Sequence, residues 1–297
     1  MSLQDAQVET AQVERRVSYY YVAFRKFLRH KPGMIGLGVV MITTFAAIFA
    51  PYVAPYDPYA INSSEVFRPP SMAHLMGTDN LGSDVLSRII FGARYSMVIA
   101  VMVALISMTI GVTLGLISGY YGGIIDAIVT RSTDAVMAIP SFFLYIVALS
   151  LWDVRGIWVI TLVIGLTLWP TFAKVVRSEV LSLKERPYIE AGKSMGASDF
   201  RIMSRYVLPN LWGTVTIIAS LRMAAAILTE TGLNFIGLGD PTIASWGSML
   251  TRAHMAGAQL TYWWAPTFPG LAITVVTWAF NLIGDGLRDA LDVKSEF

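Results

Sequence analysis

The sequence of 297 residues contains no cysteine and has few charged residues. The absence of cysteine excludes a disulfide framework and any thiolate metal site. The only histidines, His30, His74 and His254, lie in separate predicted loops without partners at helical spacing, so we expect no metal site. Charged residues make up 14% of the chain, against about 25% in average soluble proteins, and this is too little charge to solvate a soluble domain.

The sequence also lacks the motifs of nucleotide binding and of nucleophilic catalysis. Gly192, Lys193 and Ser194 resemble the end of a phosphate-binding loop, but Pro187 stands where that motif requires its first glycine. There is no Ser-His-Asp pattern with a nucleophile elbow. We therefore expect no catalytic residue, no cofactor site and no nucleic-acid partner for this chain.

What the chain has in excess is hydrophobic residues in long runs. They make up 55% of the sequence, and the mean hydropathy is +0.58. A helix that crosses a bilayer needs about 20 mostly apolar residues. The segments that meet this requirement are 34–54, 96–119, 127–151, 156–173, 211–238 and 263–284. We predict an all-α polytopic membrane protein with six spans, in which Pro140 and Gly232 are candidate bend points.

Positive charge is distributed unevenly between the predicted loops, and cytoplasmic loops are the ones enriched in Lys and Arg. The arm before the first segment carries Arg15, Arg16, Arg25, Lys26, Arg29 and Lys31, and the loop after the fourth carries Lys174, Arg177, Lys184, Arg186, Lys193, Arg201 and Arg205. The opposite side carries Arg68, Arg88, Arg94, Arg155 and Arg252. An even number of spans separates the two basic regions, so both termini are expected in the cytoplasm. The long polar arm argues against a cleaved signal peptide.

Two further patterns predict local structure in and beside the second segment. Apolar residues recur at helical spacing from Leu81 to Phe91, which predicts an amphipathic helix on the outer membrane surface, capped by Asp79 or Asn80. We expect this helix to strap the bundle rather than to contact a substrate. Within the second segment a glycine recurs at every fourth residue from Gly111 to Gly119, which predicts close packing against a neighbouring helix.

The polar stretch between the fourth and fifth segments predicts two short helices joined by a corner. The first helix is expected over Tyr188 to Met195, with Gly196 ending it. Ser198 is expected to cap the second helix, over Phe200 to Val207, and Pro209 to end it before the fifth membrane segment. Such a shape can lie across the membrane face as a rigid lever.

This stretch resembles the EAA motif, the loop by which permeases of binding-protein-dependent ABC importers grip their ATPase subunits. The matching residues are Glu190, Ala191, Gly192, Gly196, Leu208 and Pro209. Gly192 replaces the second Ala of the motif, and Tyr206 replaces its Ile. The resemblance runs from about His74 to Lys294 and is to the DppC/OppC branch, through the segments 74–94, 235–239, 246–249 and 284–292; Ser83 replaces an Arg that is common there.

The resemblance implies a six-helix permease of the type I ABC importer fold in the cytoplasmic membrane of a prokaryote. Its implied partners are a homologous second permease of the DppB/OppB type, two ABC ATPases, an extracytoplasmic solute-binding protein and the lipid bilayer. ATP and Mg are implied on the ATPases and not on this chain. The residues implied in ATPase coupling are Tyr188, Glu190, Ala191, Gly192, Ser194, Gly196 and Pro209. The implied function is the import of di- and oligopeptides by alternating access.

Polar residues inside the fifth segment are the candidates for a translocation path or gate. Arg222, Glu230 and Asn234 lie there, and charge within a membrane usually faces a bundle interior or a wet cavity. The alternative for Glu230 is a helix end close to the outer headgroups.

For the whole chain, the first alternative function is the import of oligosaccharides, glutathione or nickel chelates, which shares every motif above. The second is an intramembrane enzyme or an ion-coupled carrier, which would need catalytic pairs or coupling carboxylates.

The expected division of the chain follows from the same segments. The parts are a cytoplasmic arm at 1–33, a transmembrane helix at 34–54, an extracytoplasmic loop at 55–94, a permease core at 95–290 containing a coupling loop at 184–209, and a cytoplasmic tail at 291–297.

Overall fold

The computed structural model describes residues 19–151, 156–240 and 242–291, and Arg15, Arg16, Arg155 and the tail 292–297 lie outside the described residues. The α-helices are α1 Tyr19–Arg29, α2 Lys31–Ile48, α3 Ala50–Val53, α4 Val85–Tyr121, α5 Gly123–Ala138, α6 Ser141–Ser150, α7 Ile157–Leu183, α8 Pro187–Ser194, α9 Asp199–Ile202, α10 Leu208–Phe235, α11 Trp246–Met255, α12 Ala258–Thr261 and α13 Trp264–Leu291. A 3₁₀ turn spans Ser63–Glu65, and a π-helical segment spans Met203–Val207.

Five of these helical stretches are long and apolar enough to cross a membrane: α2, α4, α7, the stretch Asp199–Phe235 and α13. The pair α5 and α6 makes a sixth span if it is counted as one, and its two halves meet at an angle of 84°. Ile139 between them is extended, as the residue before a proline prefers, because the ring of Pro140 disfavours a helical conformation there. The predictions of an all-α polytopic fold and of a bend at Pro140 are confirmed.

The start of α4 differs from the sequence-based prediction of a separate surface helix over residues 81–91. The helix begins at Val85 and continues unbroken for 37 residues, so the amphipathic stretch forms the first turns of a membrane span. Asp84 caps it, rather than Asp79 or Asn80, because an Asp84 carboxylate oxygen accepts a hydrogen bond from the Ser87 amide at 2.8 Å. The early turns also pack inside the bundle, where the Trp246 indole donates to the Ile89 carbonyl at 3.0 Å.

Residues 55–84, here called the strap, are fixed to the start of α4 by Asp79. Its carboxylate accepts from the amides of Leu81 at 2.9 Å and Ser83 at 3.0 Å, and it pairs with Arg88 at 3.0 Å. Arg88 is only 2% exposed, so Asp79 supplies the counter-charge that its burial requires. The pKa of Arg252 on α11 is lowered to about 10, because burial and the positive charge of the Arg88 guanidinium both disfavour its charged form.

A second set of contacts ties the strap to α4 and α13. His74, expected from the sequence in an isolated loop, is buried between two carboxylates, with Nδ1 at 2.9 Å from Asp84 and Nε2 at 3.3 Å from Glu65. The Trp264 indole donates to the Thr78 carbonyl at 3.1 Å. Gly77 beside it has φ +74°, and an added Cβ there would stand 2.7 Å from the Trp264 ring. The strap is therefore a packed part of the bundle rather than a free loop.

The contact between α4 and α7 depends on the glycines predicted from their spacing. A Cβ added at Gly111 would lie 2.4 Å from Cβ of Phe172, and one added at Gly115 would lie 2.6 Å from the carbonyl oxygen of Ala173. At Gly119 the nearest atom, on Val180, would lie at 2.8 Å. These distances leave no room for a side chain, so the backbones of the two helices approach each other directly.

The beginning and the end of the described chain lie at one end of the bundle, opposite the strap. His30, between α1 and α2, pairs with Asp289 near the end of α13 at 3.2 Å. At the same end, Leu291 packs beside Gly213 in the first turns of α10, and Lys184 donates to the Gly119 carbonyl at 3.3 Å. Residues 184–207, here called the elbow, leave the bundle at this end.

We predict that Gly115→Ala lowers the free energy of unfolding by about 1–3 kcal/mol, because its Cβ would push against the backbone of α7. Gly38→Ala is the matched control, since a Cβ there has no atom within 4 Å and the substitution favours the helix. Thermal unfolding of the purified protein in detergent measures both. Equal midpoints for the two variants would contradict a close contact between α4 and α7.

Candidate functional site

The first helix of the elbow is α8, and its own sequence carries residues that favour a helix start. Pro187 occupies its first turn, where the missing amide is not needed, and Glu190 places a negative charge near the helix N-terminus. Within the helix, the Ser194 hydroxyl donates to the Glu190 carbonyl at 3.0 Å. The predicted first helix is confirmed, one residue earlier at each end.

The corner after α8 is a Schellman motif closed by Gly196. The Gly196 amide donates to the Lys193 carbonyl at 2.9 Å, and the Ala197 amide donates to the Gly192 carbonyl at 3.1 Å. Gly196 has φ +79°, a left-handed conformation in which a side chain is strained. Ser198 then caps α9 by accepting from the Arg201 amide at 3.4 Å, as predicted.

The second helix of the elbow does not end at Pro209, and that prediction was wrong. It passes through the π-helical segment Met203–Val207 directly into α10, with Pro209 in the first turn of α10. The wider turn places a bond between the Leu208 amide and the Met203 carbonyl, and the Asn210 side chain donates to the Tyr206 carbonyl at 2.6 Å. These bonds keep the backbone helical where a proline would otherwise interrupt it.

One face of the elbow is anchored in the bundle. Ile189 and Ile202 are fully buried in a cluster with Phe172, Val176 and Val180 of α7. Polar contacts add to this anchor, because the Tyr120 hydroxyl at the end of α4 donates to the Asp199 carboxylate at 2.7 Å. Lys193 also lies 5.4 Å from the centre of the Tyr120 ring. The elbow is therefore joined to α4, α7 and α10 at once.

The other face of the elbow is exposed and partly apolar. Met195 is 79% exposed and Phe200 is 77% exposed, on either side of the Gly196 corner. Of the other residues predicted for this site, Tyr188, Glu190, Ala191, Ser194 and Gly196 are exposed, Gly192 is buried and Pro209 is half-buried. Exposed apolar residues beside charged ones are typical of a surface that docks onto another protein.

Arg222 lies near the middle of α10 and is half-buried. Its Nη2 donates to the Thr171 hydroxyl on α7 at 2.8 Å. Two ion pairs connect α7 to α5 along the same side of the bundle. Lys174 pairs with Asp134 at 2.7 Å, and Arg177 donates from Nε and Nη2 to the two oxygens of Asp126.

Glu230 and Asn234 lie deeper inside this chain than Arg222. The Asn234 amide donates to the carbonyl and to a carboxylate oxygen of Glu230, and Glu230 is only 1% exposed. The other carboxylate oxygen of Glu230 has no hydrogen-bond partner among the described residues. It lines a narrow cavity together with Tyr95 and Asp240. The Glu230 carboxylate is therefore enclosed by this chain and does not lie on the outer surface of the bundle.

Sequence reasoning missed the apolar residues of the elbow and the ion pairs of α7. Met195 and Phe200 were assigned to helices without a role, although large apolar residues in a polar loop are a signal of docking. Lys174 and Arg177 were assigned to a loop because the fourth apolar segment ends at Ala173, whereas α7 continues to Leu183. Of their acidic partners, Asp134 is detectable as a charge within the predicted span 127–151, whereas Asp126 lies just before it.

Comparisons with known proteins agree with this architecture. A family model described as a binding-protein-dependent transport system inner membrane component matches residues 111–295. A second model, described as the N-terminal TM domain of oligopeptide transport permease C, matches residues 18–70. A chain of the MetNI methionine ABC transporter, from inward-facing crystal structures, superposes with a TM-score of 0.54 at 17% identity, covering 68% of this chain and 96% of that one. This last likeness concerns the fold alone.

Curated relatives align over nearly the whole chain. The oligopeptide transport system permease protein OppC of Bacillus subtilis is 37% identical over 283 residues, which covers 95% of this chain and 92% of the relative. The dipeptide transport system permease protein DppC of Haemophilus influenzae is 38% identical over 275 residues, which covers 90% of this chain and 92% of the relative.

We predict that Gly196→Val opens the elbow corner, because valine at φ +79° is strained by roughly 1–2 kcal/mol. Cleavage by trypsin at Lys193 is expected to accelerate by roughly fivefold or more, since this energy changes a local equilibrium by that factor. Gly192→Ala is the control, because a Cβ there has no atom within 4 Å. Equal cleavage rates in the two variants would show that the corner does not depend on glycine.

Proposed function

We propose that this chain, which belongs to the family of binding-protein-dependent transport system inner membrane components, imports peptides. The translocation path would be shared with a second permease. It is a membrane-spanning permease subunit of an ABC importer, a transport protein rather than an enzyme. Peptides are the proposed solute because OppC and DppC relatives carry the names of oligopeptide and dipeptide transport. The alternatives are oligosaccharides, glutathione and nickel chelates, which binding measurements on the cognate solute-binding protein would separate.

The observation that carries the mechanism is the elbow with its two different faces. Its exposed face, with Met195 and Phe200, is proposed to dock onto an ATPase subunit, and Glu190 to contact a basic group there. Its buried face, with Ile189 and Ile202, connects that docking surface to α7 and to the helix that continues into α10. Closure of the ATPase pair would therefore move these helices together and shift the balance between inward-open and outward-open states.

The proposed assembly contains the subunits that the family description implies. They are this chain, a homologous DppB/OppB-like permease, two ATPases that bind ATP and Mg, and an extracytoplasmic solute-binding protein. Residues 95–290 would form the permease core, the loop 184–209 would couple it to an ATPase, and Arg222, Glu230 and Asn234 would line or gate the path. Glu230 is enclosed within this chain, so it would act in a gate by holding α10 in position rather than by lining the path itself.

We propose that the elbow and both termini, with the arm 1–33 and the tail 291–297, face the cytoplasm, and that the loop 55–94 faces outward. The chain has no cysteine, so a single introduced cysteine reports its own side of the membrane. Met195→Cys is expected to react with a membrane-impermeant maleimide only in inside-out vesicles, which are stripped of ATPase subunits so that the elbow is uncovered. Met72→Cys, 94% exposed in the strap, is expected to react only in whole cells. The reverse pattern would refute this orientation.

Docking of an ATPase at the elbow is tested with the double variant Met195→Glu and Phe200→Glu. We expect the ATPase to be lost on purification and uptake to fall at least tenfold, because burying two carboxylates in an apolar contact costs several kcal/mol. The control is Met72→Glu, which adds one carboxylate at the strap, on a methionine at least as exposed as Met195. Normal ATPase retention in the elbow variant would contradict the proposed contact.

Coupling is tested separately by Glu190→Phe. A bulky side chain on the exposed face of α8 is expected to disturb the fit, so that ATP hydrolysis continues while uptake is lost. The measurement is the ratio of solute imported to ATP hydrolysed in proteoliposomes that contain the complete importer. An unchanged ratio would refute the role of this face as a lever.

A further inference from the structure

Arg222 carries a charge for which the described chain supplies no counter-ion. Its guanidinium donates to the neutral Thr171 hydroxyl, and none of the ion pairs formed between described residues includes it. It lies about 20 Å along the helix from either end of α10. An unpaired cation at such a depth is costly, and in membrane proteins it usually faces water, a partner or a substrate.

The next turn of α7 presents a second cation. Lys174 follows Thr171 by three residues, so their side chains are neighbours on the helix surface. Lys174 pairs with Asp134 at 2.7 Å, yet their side chains are 42% and 57% exposed. An exposed ion pair within membrane-spanning helices does not face lipid, and this face of the bundle must be covered by water or by protein.

A cleft lies beside this pair. Its volume is about 270 Å³, and its walls include Thr130 and Thr133 of α5 and Ala173 of α7, with Arg177 beyond Lys174. Small-molecule sites usually measure about 300–1,000 Å³. The cleft is therefore suited to one end of a ligand rather than to a whole ligand. Its hydroxyl groups and charges match a small ionic group.

We propose that Arg222, Thr171 and the Lys174–Asp134 pair form a relay for the terminal carboxylate of the transported peptide, an inference that rests on peptide import. Arg222 receives the carboxylate, since a guanidinium binds that group with two parallel hydrogen bonds. Lys174, one turn further along α7, takes the carboxylate next by exchanging Asp134 for it. In the first step the carboxylate supplies the counter-charge that Arg222 lacks. In the second step it displaces Asp134 and leaves Arg222, and both groups are then solvated by water in the open cleft, where the Lys174 and Asp134 side chains are already 42% and 57% exposed.

Two other sources of an anion fit the position less well. A lipid phosphate lies in the headgroup region, whereas Arg222 is about 20 Å from either end of its helix. A carboxylate of the second permease could pair with Arg222, but it would leave the exposed Lys174–Asp134 pair and its cleft without a function. The test distinguishes this second source.

The experiment compares a peptide with its C-terminal amide in proteoliposomes containing the complete importer. Both are supplied at saturating binding protein, and the maximal uptake rates are measured. For the unaltered importer we expect the free acid to be transported at least tenfold faster than the amide, since a charge-assisted hydrogen bond contributes enough for that factor. Arg222→Gln and Lys174→Gln are each expected to bring the two rates together by slowing the acid. The control Arg131→Gln, which removes an exposed cation of α5 that is not among the walls of the cleft, should leave the ratio unchanged.

The outcomes distinguish a failure of the relay from a failure of peptide import, on which the relay rests. Import of neither peptide by the unaltered importer would refute peptide transport and the relay with it. Import of both peptides, with an acid-to-amide ratio that Arg222→Gln leaves unchanged, would refute the relay alone. Loss of the second permease on purification of the Arg222→Gln complex would identify a subunit carboxylate as the counter-ion and likewise overturn the proposal. Retained assembly with a ratio near one supports it.

Discussion

The backbone contact between α4 and α7 is the constraint on which the rest of the bundle depends. Lipid tails are as apolar as the side chains they surround, so helices in a membrane associate through close packing rather than through water exclusion. The glycines of α4 supply that packing along the half of the helix nearest the elbow. The elbow is anchored on the far ends of the same two helices, and α7 also carries Thr171 and Lys174. A single contact thus positions both the elbow, with its proposed docking face, and the charged cleft.

Charge in this chain follows a simple division between fixed and exchangeable pairs. At the strap, Arg88 and Asp79 are buried together with additional hydrogen bonds, and such a pair holds a structure in place. At the cleft, Lys174 and Asp134 are exposed and held by a single contact, so their attraction is weak and open to competition. Both pairs join a cation to an aspartate, and burial together with the additional hydrogen bonds of Asp79 separates the structural pair from the exchangeable one.

Most of the fold could be predicted from the sequence, because the length of an apolar run indicates a membrane span and the spacing of glycines indicates close packing between helices. The corner at Gly196 and the break at Pro140 follow from backbone conformations that only a few residues permit. The true ends of α4 and α7 could not be predicted in the same way, because charged residues such as Arg88 and Lys174 interrupt the apolar run while the helix continues. Hydropathy alone therefore places Lys174 in a loop. The continuation of the helix through Pro209 could not be predicted, because the π-helical segment before it, Met203–Val207, has no recognisable sequence pattern.

The helix from Asp199 to Phe235 is continuous, so the proposed movement of the elbow would reach the interior of the bundle along it. Phe200 and Arg222 lie about 33 Å apart along one rod, so each degree of tilt at Arg222 displaces Phe200 by about 0.6 Å. A displacement of several ångström at the far arm therefore reaches the pivot as a rotation of only a few degrees. Because Ile202 near the far arm packs against α7, such a rotation would carry α7 along with it.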